Sequence, residues 1–391
     1  MTGYLFVFGR TPALAFLELK SFFPNASLIS PDVAYVPAVP SLDGPAIISA
    51  LGGTVKIAKV VGRLSELAPQ TIVPYLPGGQ DITFGLSAYG NVSLPRSTLH
   101  DMKKALEVGG RKARFVEARH GNALSSVVIE KNQVHELVIV PDASSYIVAH
   151  TLAVQPFEAW GERDFGRPYA DAKAGMLPPK VARMIVNIAK PTVQKEHKTL
   201  LDPFCGMGTV LGEGLLAGWD VIGSDISKQV IQKAHENLIW LLGKHPGATG
   251  KIVKMLVSEA VHIADILPPN SVDAIVTEPY MGSTDIASRQ PTDPEELRNT
   301  IKGLEKLYIG CLRNWHTILS SRGKVIIALP AYAIQGHTYF VKKVVDMCEN
   351  LGYTIVEGPI DYSRPQAVVK RNFFVLQKSN PTNTTNKQIY K

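Results

Sequence analysis

The sequence predicts an α/β protein whose C-terminal half is a doubly wound sheet and whose N-terminal half is built of α+β modules. Three observations carry this. From Pro179 to Gln377 short apolar runs alternate with helical patterns, the pattern of a mostly parallel sheet with helices between its strands. One such run, Leu200–Asp202, ends in an acid, a glycine turn and a helical pattern, and a second, Val221–Asp225, ends in another acid roughly 20 residues further on. Before Pro179, strand-like runs such as Tyr4–Gly9 are mixed with isolated helical patterns and show no such alternation.

The 391 residues suffice for two or three domains, and 45% hydrophobic against 19% charged residues describes a globular chain with a sizeable core. The net charge of +7 suits a polyanionic partner. Cys205, Cys311 and Cys348 are scattered and odd in number, so neither a disulfide framework nor a zinc or other metal site is expected, which fits a reducing, cytoplasmic setting. The opening MTGYLFVFGRTP has no basic segment ahead of an apolar stretch and predicts no signal peptide. No uninterrupted apolar run reaches about 18 residues, so no membrane helix is expected.

Taken in order, Tyr4–Gly9 reads as a buried strand. Pro12 opens a helix with Leu14, Leu17, Leu19 and Phe22 toward one side. Ala34–Val39 is extended, Ala46–Leu51 helical and Gly53–Val61 a strand, which makes residues 1–70 an α+β module of ferredoxin-like size. After the turn-rich Ala68–Gly79, residues 71–152 form a second module. It has strands at Ile82–Gly90, Ala113–Arg119, Ser125–Glu130 and His135–Val140. Its helix, Ser97–Gly109, turns Leu99, Met102 and Leu106 inward with Ser97 as N-cap. Residues 153–178 read as a connector, neither sheet nor helix, in which Arg163 and Arg167 either pair with Asp164 and Asp171, the preferred reading, or meet RNA. In the domain 179–378, strands are expected at Thr199–Pro203, Val221–Asp225, Ile252–Val257, Asp273–Thr277, Gly323–Leu329, Tyr353–Glu357 and Arg371–Gln377, with helices between them. The polar tail 379–391 is expected to be disordered.

The chemistry concentrates in LLDPFCGMGT. Asp202 stands at the tip of a strand, where a carboxylate would repel a pyrophosphate. It suits a ligand with an ammonium and a sulfonium, which describes S-adenosylmethionine. Gly206 and Gly208 let the backbone approach closely, with Phe204, Cys205 and Thr209 completing the turn. Asp225, followed by Ile226, suits ribose hydroxyls. Glu259 is preferred over Asp265 for the adenine amino group. Cys205 has no neighbouring base and reads as a packing residue. A second motif, VDAIVTEPYMG, is a buried strand ending in Thr277, Glu278, Pro279 and Tyr280.

The first motif resembles motif I of class I methyltransferases. The second resembles the (Asp/Asn/Ser)-Pro-Pro-(Tyr/Phe/Trp) motif of enzymes that methylate exocyclic amino groups of bases. Further strings, YLFVFGRTPALAFLELKSFF, LGGTVKIAKVVG, FGLSAYG, GGRKARFVEAR, RDFGRP and GMLPPKVARMIVNIA, follow in the order found in the THUMP-domain tRNA guanosine N2-methyltransferases. The chain is therefore similar to that family to about Lys378. The resemblance implies a class I methyltransferase domain with an antiparallel edge of Thr354–Val356 against Asn372–Leu376, behind ferredoxin-like and THUMP-like modules. It also implies an S-adenosylmethionine cofactor and a tRNA substrate. Eukaryotic relatives also use a small zinc-binding activator protein.

One departure stands out, since the family carries Asp-Pro-Pro-Tyr. Either Thr277 fills the polar position and Glu278 replaces the first proline, or Glu278 replaces the aspartate and one proline is absent. In both, acceptors hold the amine N–H groups and Tyr280 stacks the base. The basic run including Lys103, Lys104, Arg111 and Lys112 is the candidate phosphate contact. Two other functions are consistent with parts of the chain. One is a DNA adenine-N6 or cytosine-N4 methyltransferase, against which the THUMP-like half argues. The other is an RNA-binding protein with an inactive methyltransferase fold, against which the intact Asp202, glycines and Asp225 argue.

Overall fold

A computed structural model describes residues 3–37, 39, 42–119, 121–170, 176–191, 196–282, 294–334, 336–363 and 367–379. Asp171, Gly175 and the tail beyond Ser379 lie outside them. The chain divides into two compact units, Met1–Gly161 and Glu162–Lys391. No helix among the described residues is long and apolar enough to cross a membrane.

The first unit holds one eight-stranded sheet in the order β2-β3-β1-β4-β8-β7-β5-β6. Its strands are β1 (Gly3–Phe8), β2 (Ser27–Ser30), β3 (Val33–Pro37), β4 (Thr54–Leu64), β5 (Asp81–Ala88), β6 (Lys112–Phe115), β7 (His135–Asp142) and β8 (Ser145–Val154). Strands from both expected modules thus share a single hydrogen-bonded sheet, joined where β4 pairs with β8. The helices are α1 (Pro12–Phe22), α2 (Gly44–Ala50), α3 (Pro69–Ile72), α4 (Thr98–Val108) and α5 (Ser126–Lys131); α6 (Phe157–Phe165) spans the boundary, with Arg163 belonging to the second unit.

Four expectations are corrected here. Ser125–Glu130 is not a strand but leads into helix α5, because the Ser125 side chain caps the turn by accepting from Val128 N at 3.3 Å. Ser97 is not a side-chain cap for α4. The interval at 68–79 contains the one-turn helix α3. The connector contains α6, an amphipathic helix that buries Trp160.

The second unit holds strands in the order β11-β10-β9-β12-β13-β16-β15. They are β9 (Thr199–Asp202), β10 (Asp220–Asp225), β11 (Ile252–Val257), β12 (Val272–Thr277), β13 (Leu319–Ile334), β15 (Tyr353–Tyr362) and β16 (Val369–Lys378), with β14 (His337–Phe340) paired to β13. β9 through β13 run parallel, and β16 enters antiparallel between β13 and β15. This is the class I methyltransferase architecture, with the antiparallel edge where the resemblance put it.

The helices are α7 (Pro179–Ile188), α8 (Thr209–Leu216), α9 (Lys228–Lys244), α10 (Pro294–Ile318) and α11 (Lys342–Met347). Helix α10 shows why such a segment folds here. Leu297, Ile301, Leu304, Tyr308, Cys311, Trp315 and Ile318 recur every three or four residues, and all are buried in the core. Each leucine stabilises by about 1.5–3 kcal/mol. Helix α8 carries a buried Glu213 whose carboxylate accepts from Arg163 Nη1 at 2.9 Å and Arg183 Nε at 2.7 Å. Arg163 therefore pairs with Glu213 and not with Asp164, which is bonded by Arg167 instead.

Candidate active site

In a doubly wound sheet the strands end together at one rim, and the chain reverses its order of travel beside the first strand. Here β9 has β10 on one side and β12 on the other, so the residues that end these three strands meet at that rim. Asp202 ends β9, Asp225 ends β10 and Thr277 ends β12.

Asp202 is only 2% exposed. Its Oδ1 accepts from Thr277 Oγ1 at 2.7 Å and from Phe204 N at 3.1 Å. Burial pushes its carboxyl up to about 7; the like charges of Asp225 and Glu278 add to the rise, and the two hydrogen bonds oppose it. The following turn is closed by Gly208 N donating to Cys205 O at 2.8 Å and is held to β10 by Cys205 N donating to Ser224 O at 2.9 Å. Gly206 and Gly208 have φ of +48° and +84°, a region that penalises any side chain, and a Cβ on Gly206 would stand in open space. Thr209 starts α8 and accepts from Arg167 Nη1 at 2.9 Å. The Cys205 thiol is buried and pushed up well above its usual value, first by burial and then by Asp202 and Asp225, so it is no nucleophile.

Asp225 is partly exposed, and its Oδ1 accepts from Ser227 N at 2.9 Å. Ser227 in turn caps α9. Ile226 is 70% exposed, large for an isoleucine, and Val257 at the end of β11 and Tyr280 after β12 are exposed too. Exposed side chains with apolar surface therefore stand at the ends of β10, β11 and β12, on either side of β9. Glu259 is exposed two residues beyond β11, whereas Asp265 faces His262 at 3.3 Å.

At the second motif the two candidate acceptors separate. Thr277 is fully buried and gives its hydroxyl to Asp202. Glu278 is partly exposed and pairs with Nε of Arg371. Pro279 is buried, and the next two carbonyls are pinned from below: Tyr308 Oη donates to Tyr280 O and Tyr332 Oη to Met281 O, each at 2.5 Å. Sequence reading missed Arg371, Tyr308 and Tyr332. Arg371 comes near because β16 is antiparallel: its first residues sit opposite Pro330, at the rim where the parallel strands end.

In the first unit, Lys104 and Lys112 are exposed, Lys103 pairs with Glu107 on α4 at 3.5 Å, and Arg111 donates to the carbonyls of Gly79 and Pro77 at 2.7 and 2.6 Å.

Comparison with known proteins fits this geometry. A family model described as UPF0020, RMKL-like, methyltransferase domain, matches residues 167–335. The probable tRNA (guanine(10)-N2)-dimethyltransferase of Methanothermococcus thermolithotrophicus is 33% identical over 125 residues, 31% of this chain and 70% of the relative. The chain belongs to the tRNA guanine-N2 methyltransferase family. Another family member, the tRNA (guanine(10)-N2)-dimethyltransferase of Pyrococcus abyssi, is 28% identical over 215 residues, 55% of this chain and 52% of the relative. The chain spans about half the length of the curated relatives it matches. Among solved structures, TrmN from Thermus thermophilus superposes with a TM-score of 0.55 at 16% identity, over 97% of this chain and 100% of that one. At that identity the likeness speaks for a shared fold.

Proposed function

We propose that this protein is an S-adenosylmethionine-dependent methyltransferase acting on an exocyclic amino nitrogen of a base, guanosine N2 in tRNA, in the cytoplasm. The observation that carries the reading is the rim itself. A buried acid, Asp202, ends β9, a ribose-suited acid, Asp225, ends β10, and a third carboxylate, Glu278, directly follows β12, beside exposed Ile226 and Tyr280.

The residues present fit the cofactor. Asp202 offers a carboxylate to the methionine ammonium and Asp225 to the ribose hydroxyls. The Phe204–Thr209 turn leaves open space at Gly206, Ile226 offers an apolar face to the adenine, and Glu259 an acceptor for its amine. When bound, that group supplies an electrophilic methyl. The chain's own residues do the rest. An exocyclic amine is a poor nucleophile because its lone pair is delocalised into the ring. Glu278 and the Pro279 carbonyl accept from its N–H groups and so localise that pair, while Tyr280 stacks the base. Tyr308 and Tyr332 hold this loop in place, so that positioning supplies most of the acceleration. The first unit supplies tRNA contacts through Lys104 and Lys112.

The test is nucleoside mass spectrometry after the full chain is incubated with S-adenosylmethionine and either tRNA or DNA. Methylguanosine modified at N2 is the expected product. N6-methyladenine or N4-methylcytosine in DNA would overturn the choice of base and polymer.

A further inference from the structure

The pair formed by Glu278 and Arg371 answers a question that the motif alone leaves open, which base enters. We infer that Arg371 is a positioning residue that holds Glu278 as an acceptor-only group, and that this held carboxylate selects guanine. The inference rests on the methyl-transfer reading of the same site.

The argument starts from the bases. The adenine N6 and cytosine N4 amines each sit beside a ring nitrogen that accepts a hydrogen bond. The guanine N2 amine sits beside N1–H, which donates. An ionised carboxylate only accepts, whereas a side-chain amide both donates and accepts. A carboxylate beside the amine therefore matches the N1–H and N2–H edge of guanine, and it meets adenine or cytosine lone pair to lone pair. Thr277 is out of contention, since it is buried and its hydroxyl is given to Asp202. The acceptor that this strand end presents is Glu278.

A glutamate has one more rotatable bond than the aspartate usual in this motif, and it stands at a rim that already holds Asp202 and Asp225. It needs both a fixed rotamer and a counter-charge. Arg371 supplies both through its Nε. Its own backbone is fixed in the ladder opposite Pro330 on one side and Tyr362 on the other, and its guanidinium lies over the Tyr362 ring at 6.0 Å. A site built to pair with a donor rejects an analogue that lacks it, because its buried polar groups are then left unpaired.

The experiment compares single-turnover methylation of two tRNA transcripts. One carries guanosine at the methylated position, located beforehand by nucleoside mapping. The other carries 2,6-diaminopurine there, which keeps the N2 amine but has an unprotonated N1. Wild-type protein is expected to favour guanosine on the order of 100-fold or more. Arg371→Met should slow guanosine and narrow that ratio at least about tenfold, and Arg371→Lys should recover part of it, with S-adenosylmethionine affinity unchanged in both. Glu278→Gln, which turns one acceptor into a donor, should bring the ratio toward one. If Arg371→Met and Glu278→Gln both keep the wild-type ratio, whatever their rates, Arg371 has only a structural role and the inference fails while the methyl-transfer reading stands. If wild-type protein methylates neither transcript and no other tRNA guanosine, the reading fails and takes the inference with it.

Discussion

Thr277 Oγ1 donates to Asp202 Oδ1 at 2.7 Å and so ties the ends of two adjacent parallel strands, β12 and β9, through their side chains. The bond joins the two motifs directly. Thr277→Val keeps the shape and removes the donor. It should cost about 1–3 kcal/mol in urea unfolding at pH 8, where the Asp202 carboxylate is ionised, and Thr277→Ser should cost much less. A valine variant as stable as wild type would mean that this bond contributes nothing.

Asp202 makes a pH dependence. Its carboxyl is pushed by burial up to about 7 in the folded chain, against the 3.8 of an ordinary aspartate. Between those values the folded state holds a proton that the unfolded state has lost, so stability falls as pH rises from about 4 to about 7 and levels off above. Asp202→Asn should abolish that slope and make the ligand-free protein more stable at pH 8 by on the order of 2–4 kcal/mol. The same substitution should weaken S-adenosylmethionine binding most at high pH, where the wild-type group is charged. Urea titrations and calorimetry at pH 5.5, 7 and 8.5 check both arms.

The two tyrosines beneath the motif loop can be removed without disturbing packing. Tyr308→Phe and Tyr332→Phe each deprive one carbonyl, of Tyr280 or Met281, of its donor. Each should cost about 0.5–1.5 kcal/mol of stability. The larger effect should fall on the rate of methyl transfer, with cofactor affinity unchanged. Equal losses in rate and affinity would show that the loop does not position the base.

In the first unit, Lys104→Ala and Lys112→Ala should each lower the salt slope of tRNA binding by about 0.7–0.9. Arg111→Ala should instead lower the thermal midpoint, since its guanidinium bonds the backbone at Pro77 and Gly79. A salt slope that does not change in either lysine variant would return both to an ordinary solvated face.

The second unit was legible where function and folding ask for the same residue. Leu200–Asp202, Gly206, Gly208 and Val221–Asp225 follow from local needs: an apolar strand, an acid at its tip, and glycines in a turn of positive φ. What escaped depends on tertiary neighbours. Strand β8 follows β7 through a two-residue turn in which Ala143 takes φ +51°, without the asparagine or glycine that announces a hairpin. Helix α5 is a β-branched run that its serine cap turns helical. Thr277 and Glu278 are neighbours in the chain, yet one faces Asp202 and the other Arg371. Only the register of β16 against β13 brings Arg371 within reach.

The Arg163–Glu213–Arg183 cluster bears on where the catalytic half can be cut. Glu213 is buried on α8, and of its two guanidinium partners only Arg183 lies inside the helix that opens the alternating pattern at Pro179. A truncation or a proteolytic nick just upstream of Pro179 would detach Arg163 and leave a buried carboxylate half-compensated, a loss of about 3–5 kcal/mol. A fragment that keeps α6 from Phe157 onward retains the counter-charge. The buried charge of the catalytic half is thus balanced from inside the stretch that reads as a linker, upstream of the helix that opens at Pro179.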